Sequence, residues 1–200
     1  MASPNAQVEL FQSVNLFVAS MNISALMWAM KQRYRRPEGS RSYLRAIYLF
    51  GTVATLATLA ALGHLDASSL ASVSIATALY LASLLLLVWT LRADGGGEVA
   101  YALAIGIPAD SANIGPYRYI RHPLYTAQLL TWFAGPLAVQ QSVLFLPLLV
   151  MGWLYDRRAT LEEQELLKHP LVADGYLRYL RDVGKFIPCT TGKSKSCPET

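Results

Sequence analysis

The sequence predicts an all-α, polytopic integral membrane protein with about five transmembrane helices. Of its 200 residues, 54% are hydrophobic and only 15% are charged, and the apolar residues are grouped in long runs. A soluble domain of this size would leave large apolar patches in water, whereas helices in a lipid bilayer expose such residues to lipid. The formal charge of +4 comes from Lys and Arg between and after the apolar runs, a pattern that is typical of membrane topology and not of nucleic-acid binding. We therefore predict one membrane-embedded domain over 1–188 and a disordered tail over 189–200.

Three spans are predicted in the first half of the chain. The first, about 8–30, is read as an uncleaved span because no basic residues precede it, and it ends at KQRYRRPEGSRSYLR, which has six Lys/Arg in fifteen residues. The second and third, about 46–62 and 70–91, form a helical hairpin joined by the short polar segment GHLDASS. The basic segment after the first span predicts that this side faces the cytoplasm.

Two shorter apolar runs follow a long polar loop. The stretch 93–125 is rich in Gly, Pro and polar residues and cannot span, and loops of this length are usually functional or disordered. The runs at about 124–139 and 143–155 are short for spans. They form either a tilted hairpin across the bilayer or a hairpin buried among the other helices. The charged segment DRRATLEEQELLKHP then predicts a helix that leaves the membrane.

The positive-inside rule predicts the orientation of the chain. Basic clusters at 31–45, 118–121, 157–158 and 178–185 all fall on one side if there are five spans with the N-terminus outside and the C-terminus in the cytoplasm. The prediction is thus a multi-pass protein of the cytoplasmic membrane in a bacterium, or of the endoplasmic reticulum in a eukaryote. Its functional site is expected to face the cytoplasm.

Cysteine and histidine usage argues against a metal site or a structural disulfide. The three histidines and two cysteines have no metal-ligand spacing, so no metal is expected. Cys189 and Cys197 both lie in the polar tail. Because that tail is predicted to be cytoplasmic, we expect no structural disulfide there.

The first candidate site is the segment GPYRYIRHPLY, residues 115–125. Its Gly-Pro pair predicts a turn, and Pro123 suits the first turn of the next helix, where its missing N–H has no intrahelical partner. The start of that helix offers free backbone N–H groups and a positive dipole end to a polar ligand. An alternative interpretation is that Arg118, Arg121 and the tyrosines form an aromatic and basic belt at the membrane interface.

The second candidate is the pair Arg158 and Glu162, four residues apart and therefore on one helix face. A guanidinium at this place can hold a carboxylate while Glu162 takes hydroxyl or amine groups of a ligand. The alternative is an ordinary ion pair on a solvated face. The third candidate, GYLRYLRDVGKFIP, predicts an amphipathic helix on the membrane surface, either as a lid over the site or only as an anchor.

Together these motifs resemble the isoprenylcysteine carboxyl methyltransferases and their prokaryotic relatives, within a superfamily that includes phospholipid methyltransferases. The resemblance lies in GPYRYIRHPLY, an Arg-x-x-x-Glu-Glu element about forty residues later, then Tyr-x-x-Tyr and a closing Phe-Ile-Pro, and it covers roughly 80–188. Relatives usually have Phe-Gly before the first of those tyrosines. This chain reads His-Pro-Leu-Val-Ala-Asp-Gly-Tyr instead, which predicts that the helix after Glu163 is interrupted at Pro170.

The resemblance implies an enzyme that transfers a methyl group from S-adenosyl-L-methionine to a lipophilic acceptor, with its cofactor-binding part at about 92–188. By similarity, Arg158 would be the catalytic residue that binds the acceptor, which is a carboxylate in the family. By the same similarity, the cofactor would be contacted by Tyr117, Arg121, His122, Pro123, Leu124, Tyr125 and Glu162.

Several alternatives stay open at the level of the sequence. The acceptor can be an isoprenylcysteine-like group, a phospholipid, or a small thiol or amine. A membrane sterol-type reductase that binds NADPH has a similar arrangement of spans and a related Arg/His/Tyr pattern. A non-catalytic membrane scaffold would need the basic residues only for orientation.

Overall fold

We describe the protein from a computed structural model, which covers residues 4–33, 41–64, 69–93, 114–168, 170 and 173–189. The described residues form six α-helices and two short 3₁₀ turns, at 115–118 and at 142–144. The helices are α1 (Pro4–Arg33), α2 (Arg41–His64), α3 (Leu70–Ala93), α4 (Pro123–Val139), α5 (Phe145–Leu167) and α6 (Ala173–Asp182). The predicted all-α fold is confirmed, and the only pairing of extended backbone in these ranges is an isolated parallel bridge between Ile120 and Gly184.

The first four predicted apolar runs lie inside α-helices, and the fifth, about 143–155, begins in the 3₁₀ turn at 142–144 and continues in α5. The helix that contains the last run extends beyond the apolar residues. This helix, α5, continues from Phe145 through the charged segment to Leu167 and ends before Pro170, where the interruption is predicted. Among the described residues one helix, α3, is long and apolar enough to cross a membrane, and α2 contains a shorter apolar stretch, Leu49–Leu62. The predictions that concern 34–40, 65–68, 94–113 and the tail from 190 onward lie outside the described residues.

The chain divides into two compact units. Unit 1 comprises Met1–Leu85 and Ala127–Leu154, and unit 2 comprises Leu86–Thr126 and Tyr155–Thr200. The predicted cofactor-binding part falls in unit 2, apart from 127–154, which belongs to unit 1. The single domain predicted over 1–188 stays a prediction.

The core of unit 1 is built from small and branched apolar side chains together with one tyrosine. A Cβ added at Gly135 would lie 2.6 Å from Thr58 Cγ2, so only glycine allows α2 and α4 to approach this closely. The buried core residues are Val18, Ala19, Leu62, Ala76, Tyr80, Ala134, Ala138 and Val139.

Two asparagines join α1 to α3 inside unit 1. Asn15 Nδ2 donates to the carbonyl of Val73 at 3.3 Å, and Asn22 Nδ2 donates to the carbonyl of Tyr80 at 3.0 Å. Both asparagines are completely buried. Donor and acceptor both advance by seven residues, so the two helices run parallel and keep one register. Thr77 Oγ1 donates to Asn15 Oδ1 at 2.7 Å and completes the first of these contacts.

Large apolar side chains cover the outside of unit 1. Exposed residues of this kind occur on α1, α2, α3 and α5, and they include Leu10, Phe17, Leu49, Val53, Leu56, Leu81, Leu85, Leu146 and Leu149. Unit 1 therefore buries several polar side chains beside its apolar core and exposes many large apolar side chains, which is unusual for a soluble helical bundle.

Unit 2 has its own small core, formed by α6 and the end of α5. Tyr176, Tyr179 and Val183 are buried there. They pack against Leu166, Leu167 and Leu180. The tyrosine face of the predicted surface helix is thus occupied by protein and is not free to contact lipid.

Candidate functional site

A tight turn starts the RHP loop, the name used here for residues 115–125. Gly115 has φ 57°, in the left-handed region, and a Cβ there would lie 2.5 Å from the Ala93 side chain, so both the turn and the packing require glycine. The 3₁₀ turn Gly115–Arg118 follows, as the Gly-Pro pair predicts. Tyr179 donates its hydroxyl to the Tyr117 carbonyl at 2.7 Å and fixes this turn to α6.

The chain after α6 returns along the RHP loop. We call residues 183–187 the C-terminal strap. The Arg121 N–H donates to the Gly184 carbonyl at 2.8 Å, and the His122 N–H donates to the Lys185 carbonyl at 3.1 Å. A Cβ at Gly184 would lie 1.9 Å from the Ile187 carbonyl oxygen, so the fold of the strap excludes any side chain there.

Helix α4 begins at Pro123, as predicted. The His122 carbonyl accepts from the Thr126 N–H at 3.0 Å, which starts the helical hydrogen bonding, and it lies 3.2 Å from Thr126 Oγ1. Thr126 Oγ1 also lies 3.0 Å from the Phe186 carbonyl of the strap, to which it donates. The strap therefore contacts both the loop and the first turn of the helix.

Glu163 of α5 binds two residues of the RHP loop with one oxygen. Its Oε1 accepts from Arg121 Nε at 2.9 Å and lies 3.0 Å from His122 Nε2. Burial alone would raise the pKa of Glu163, but the hydrogen bond and charge of His122, together with Arg121, outweigh burial and lower it. Glu163 is therefore an ionised acceptor at neutral pH. Since a carboxylate only accepts, Nε2 carries the proton in the contact with His122.

Glu162, the next residue, binds a different set of partners. Its Oε1 accepts from the Tyr125 hydroxyl at 2.9 Å and from Arg158 Nε at 2.8 Å. Its Oε2 lies 3.9 Å from His122 Nδ1, too far for a hydrogen bond. The Glu162 side chain is 23% exposed, more than Glu163, Arg121 or Arg158. It is thus the more accessible of the two carboxylates.

Arg158 is a buried cation and not part of a solvated surface pair. It is 3% exposed. Burial lowers its pKa, but the charge of Glu162 and the contact with Tyr125 outweigh burial and raise it above its ordinary value. The alternative of an ordinary ion pair on a solvated face does not fit this geometry. A buried guanidinium beside a carboxylate is costly to unpair, because the charge left behind has no water to solvate it.

Aromatic rings line the same cluster. The ring of Tyr125 stacks on His122, with centroids 5.6 Å apart, and on Tyr155 at 5.1 Å. Phe186 of the strap contacts His122 at a centroid distance of 6.1 Å. The imidazole thus has aromatic neighbours on α4 and on the strap.

The structure brings five of the predicted site residues together: Arg121, His122, Tyr125, Arg158 and Glu162. Arg121 has protein partners in addition to Glu163, because its Nη1 donates to the carbonyls of Leu180 and Val183. Its contacts therefore connect the loop to α5, α6 and the strap. Its predicted contact with the cofactor stays a prediction.

The remaining predicted residues are placed differently. Pro123 is among the fully buried side chains, so its observed role is to start α4. Tyr117 contributes its carbonyl to the bond with Tyr179, and Leu124 is half-buried.

Two residues that contact the cluster, Glu163 and Lys185, were not among the predicted site residues. In the sequence, Glu163 is only the second member of an acidic pair. Adjacent residues of a helix point in different directions, and this indicates that Glu162 and Glu163 contact different partners. Lys185 carries no such signal. Its role depends on where the strap returns in three dimensions.

Within the described residues no group of three or more His, Cys, Asp or Glu side chains is arranged to hold a metal ion. Cys189 is disulfide-bonded, so the expectation that the tail contains no disulfide is wrong in this structure. That expectation rested on the predicted cytoplasmic location of the tail, a compartment in which thiols are kept reduced.

The arrangement can bind a polar, partly cationic ligand. Two guanidinium groups and two carboxylates balance each other in charge, and the more exposed carboxylate, Glu162, can accept from ammonium or hydroxyl groups. Comparison of the chain with protein-family models, curated proteins and solved structures finds no match.

Proposed function

We propose that this chain is a multi-pass membrane methyltransferase that uses S-adenosyl-L-methionine and a lipophilic acceptor. In this proposal the chain has five spans, with its N-terminus outside and its C-terminus and site on the cytoplasmic side. The observation that carries the enzymatic part is the adjacent pair of carboxylates at 162 and 163, which together bind Arg121, His122, Tyr125 and Arg158.

The composition of the two faces of unit 1 supports a bilayer around this protein. Large apolar side chains cover the outside on four helices, while Asn15, Asn22 and Thr77 are buried between helices. Exposing the apolar side chains is costly in water and favourable in lipid. Hydrogen bonds from buried asparagines to helix carbonyls are a usual way to join membrane helices. The helix α3 also has the length and apolar composition of a span.

The donors and acceptors of the site fit the chemistry of S-adenosyl-L-methionine. The cofactor has an ammonium group, hydroxyls and a positive sulfonium, all of which suit a carboxylate with an accessible oxygen, such as Glu162. Each of the two arginines is paired with a glutamate, which reduces their repulsion of the sulfonium. His122 Nδ1, which faces Glu162 Oε2 across 3.9 Å, is a further polar atom at this edge.

The proposed reaction needs no strong base. When bound, S-adenosyl-L-methionine would supply an electrophilic methyl carbon. An ionised oxygen of the acceptor would bond to that carbon as the carbon–sulfur bond breaks and its electron pair goes to sulfur. Arg158 orients the acceptor carboxylate, and the cluster around Glu162 orients the cofactor. Holding the reacting atoms in line supplies most of the rate enhancement.

The decisive experiment is ligand binding to detergent-purified protein, measured by calorimetry with S-adenosyl-L-methionine and, separately, with NADPH. We expect S-adenosyl-L-methionine to bind and NADPH to leave the heat signal unchanged. Binding of NADPH without binding of S-adenosyl-L-methionine would overturn the proposal in favour of a reductase. Binding of neither would favour a scaffold.

Variants separate the two roles inside the site. We expect His122→Ala and Glu162→Gln to weaken cofactor binding. Arg158→Lys keeps the charge but loses the planar guanidinium, so it should mainly raise the KM for the acceptor. Lys168→Met, which removes a solvated ion pair with Glu165, is the matched control. It should change neither the Kd for the cofactor nor the KM for the acceptor. An equal loss of cofactor affinity in all three site variants would contradict the assigned roles.

A further inference from the structure

We infer that Lys185 is a positioning residue of this site: it ties the strap to α5 and so holds His122 against Glu163. The inference deepens the proposed function and rests on it for the part that concerns the cofactor. It is carried by the side-chain and main-chain contacts of Lys185, which point to two different elements.

The side chain of Lys185 is docked on α5 with its ammonium group fully used. Nζ lies 2.5 Å from Asp156 Oδ1, 3.2 Å from the Asp156 carbonyl and 2.9 Å from Thr160 Oγ1. An ammonium group has three N–H donors, and here it has three acceptors. The Lys185 side chain is 12% exposed, although Asp156 is 47% exposed. Lys185 is therefore held in one geometry and is not a mobile surface lysine.

The main chain on both sides of Lys185 is docked on the RHP loop and the start of α4. Three consecutive carbonyls of the strap, at 184, 185 and 186, accept from Arg121 N, His122 N and Thr126 Oγ1 in turn. The carbonyl of Lys185 itself is the acceptor for His122. Anchoring the Lys185 side chain thus fixes the carbonyl that orients His122.

One face of α5 holds both ends of this connection. Asp156, Thr160 and Glu163 are spaced i, i+4 and i+7, which places them along one side of the helix. Asp156 and Thr160 bind Lys185, and Glu163 binds His122 Nε2 at 3.0 Å. If Lys185 releases α5, the strap loses its side-chain anchor and the imidazole loses a fixed distance to Glu163.

A second lysine in unit 2 offers a matched comparison. Lys168 also forms a short ion pair, with Glu165 at 2.6 Å, but the two side chains are 68% and 57% exposed. Within the part of the chain that the structure describes, this pair joins only the end of α5 to the residue that follows it. Removing the charge of each lysine therefore distinguishes anchoring of the strap from a general effect of lost charge.

The test compares Lys185→Met, Lys185→Arg, Asp156→Asn and Lys168→Met in detergent-purified full-length protein. Hydrogen exchange of the His122 amide is measured without ligand, and the Kd for S-adenosyl-L-methionine is measured by calorimetry. We expect Lys185→Met and Asp156→Asn to speed the exchange of His122 by about tenfold, since hydrogen bonds to charged groups are among the stronger ones. Lys185→Arg should restore it, and Lys168→Met should match the wild type.

The same variants should raise the cofactor Kd by about tenfold, because a His122 that is no longer fixed must be ordered when the ligand binds. Unchanged exchange of His122 in both Lys185→Met and Asp156→Asn would overturn the inference. So would faster exchange with an unchanged Kd in a protein that binds the cofactor, since Lys185 would then be only structural. If the wild type binds no S-adenosyl-L-methionine, the proposed function fails, and the exchange measurement still decides whether Lys185 holds the loop.

Discussion

Units 1 and 2 bury polar groups in opposite ways. Unit 1 buries neutral amides and hydroxyls, and its asparagines donate to helix carbonyls that belong to the same bundle. Unit 2 buries charges, with Arg121 and Arg158 held by Glu163 and Glu162. The neutral contacts join two helices in one regular register. The charged contacts join a loop residue to α5 in one case and two residues of α5 in the other.

The difference shows what each kind of burial requires. A neutral polar group costs little once it has one partner, so a helix pair can supply everything that unit 1 needs. A buried charge needs several partners in fixed places, which a helix pair alone does not supply. Unit 2 therefore uses a loop, a strap and two helices around its carboxylates, and it is expected to be the more sensitive unit to single changes.

The largest effect is expected at Gly184. Gly184→Ala places a Cβ 1.9 Å from the Ile187 carbonyl oxygen, so the strap must move. We expect unit 2 to lose roughly 3 kcal/mol of stability, at the upper end for overpacking, and the His122 amide to lose its protection. Gly175→Ala in α6 is the control, since nothing lies within 4 Å of its Cβ, and it should be neutral or stabilising. Similar losses in both variants would contradict the importance of the strap.

The next effect comes from Glu163 and depends on pH. The pKa of Glu163 is lowered from 4.5 in the folded protein, so its contribution to stability is present above about pH 4.5 and is lost as the pH falls below that value through the folded pKa. Glu163→Gln should cost about 2 kcal/mol at pH 7, because Arg121 is left without its carboxylate. The measurement is thermal unfolding from pH 7 to pH 3.5.

The pH profile of the Glu163→Gln variant is the critical comparison. Its stability should fall less than that of the wild type between pH 5 and pH 3.5. The control Glu165→Gln, on an exposed pair, should follow the wild-type profile. A parallel decrease in wild type and Glu163→Gln would show that another carboxylate governs the acid sensitivity.

Smaller effects are expected in unit 1, and they should differ between its two asparagines. Asn15→Leu removes two hydrogen bonds and should cost about 1 kcal/mol in detergent or bicelles. Asn22 Oδ1 is buried with no hydrogen-bond partner among the described residues, so Asn22→Leu also removes an unsatisfied oxygen and should cost about half as much. A larger loss at Asn22 would contradict this comparison.

The smallest effect is a gain at position 84. Thr77 follows Val73 by four residues and donates to Asn15 Oδ1. Leu84 follows Tyr80 by the same four residues, so Leu84→Thr should give Asn22 Oδ1 a donor and stabilise unit 1 by about 0.5 kcal/mol. The gain should vanish in an Asn22→Leu background, which a double-mutant cycle measures. A gain that survives there would have another cause.

The sequence by itself determined the helices, where some of them begin and end, and which nearby residues form pairs within them. Long apolar runs, Pro123 at the start of α4, the turn at Gly115 and the i,i+4 spacing of Arg158 and Glu162 depend on neighbours within a few residues, and each was predicted. The candidate site was found at this level because its residues lie in two short motifs.

Only the tertiary structure decided how those residues are shared. Glu163 and not Glu162 holds Arg121 and His122, and the strap orients His122 through Lys185. These contacts join positions from 41 residues apart (His122 and Glu163) to 63 residues apart (His122 and Lys185). No helical period relates such positions, because the path of the chain between them is set by how the helices pack and not by local conformational preference.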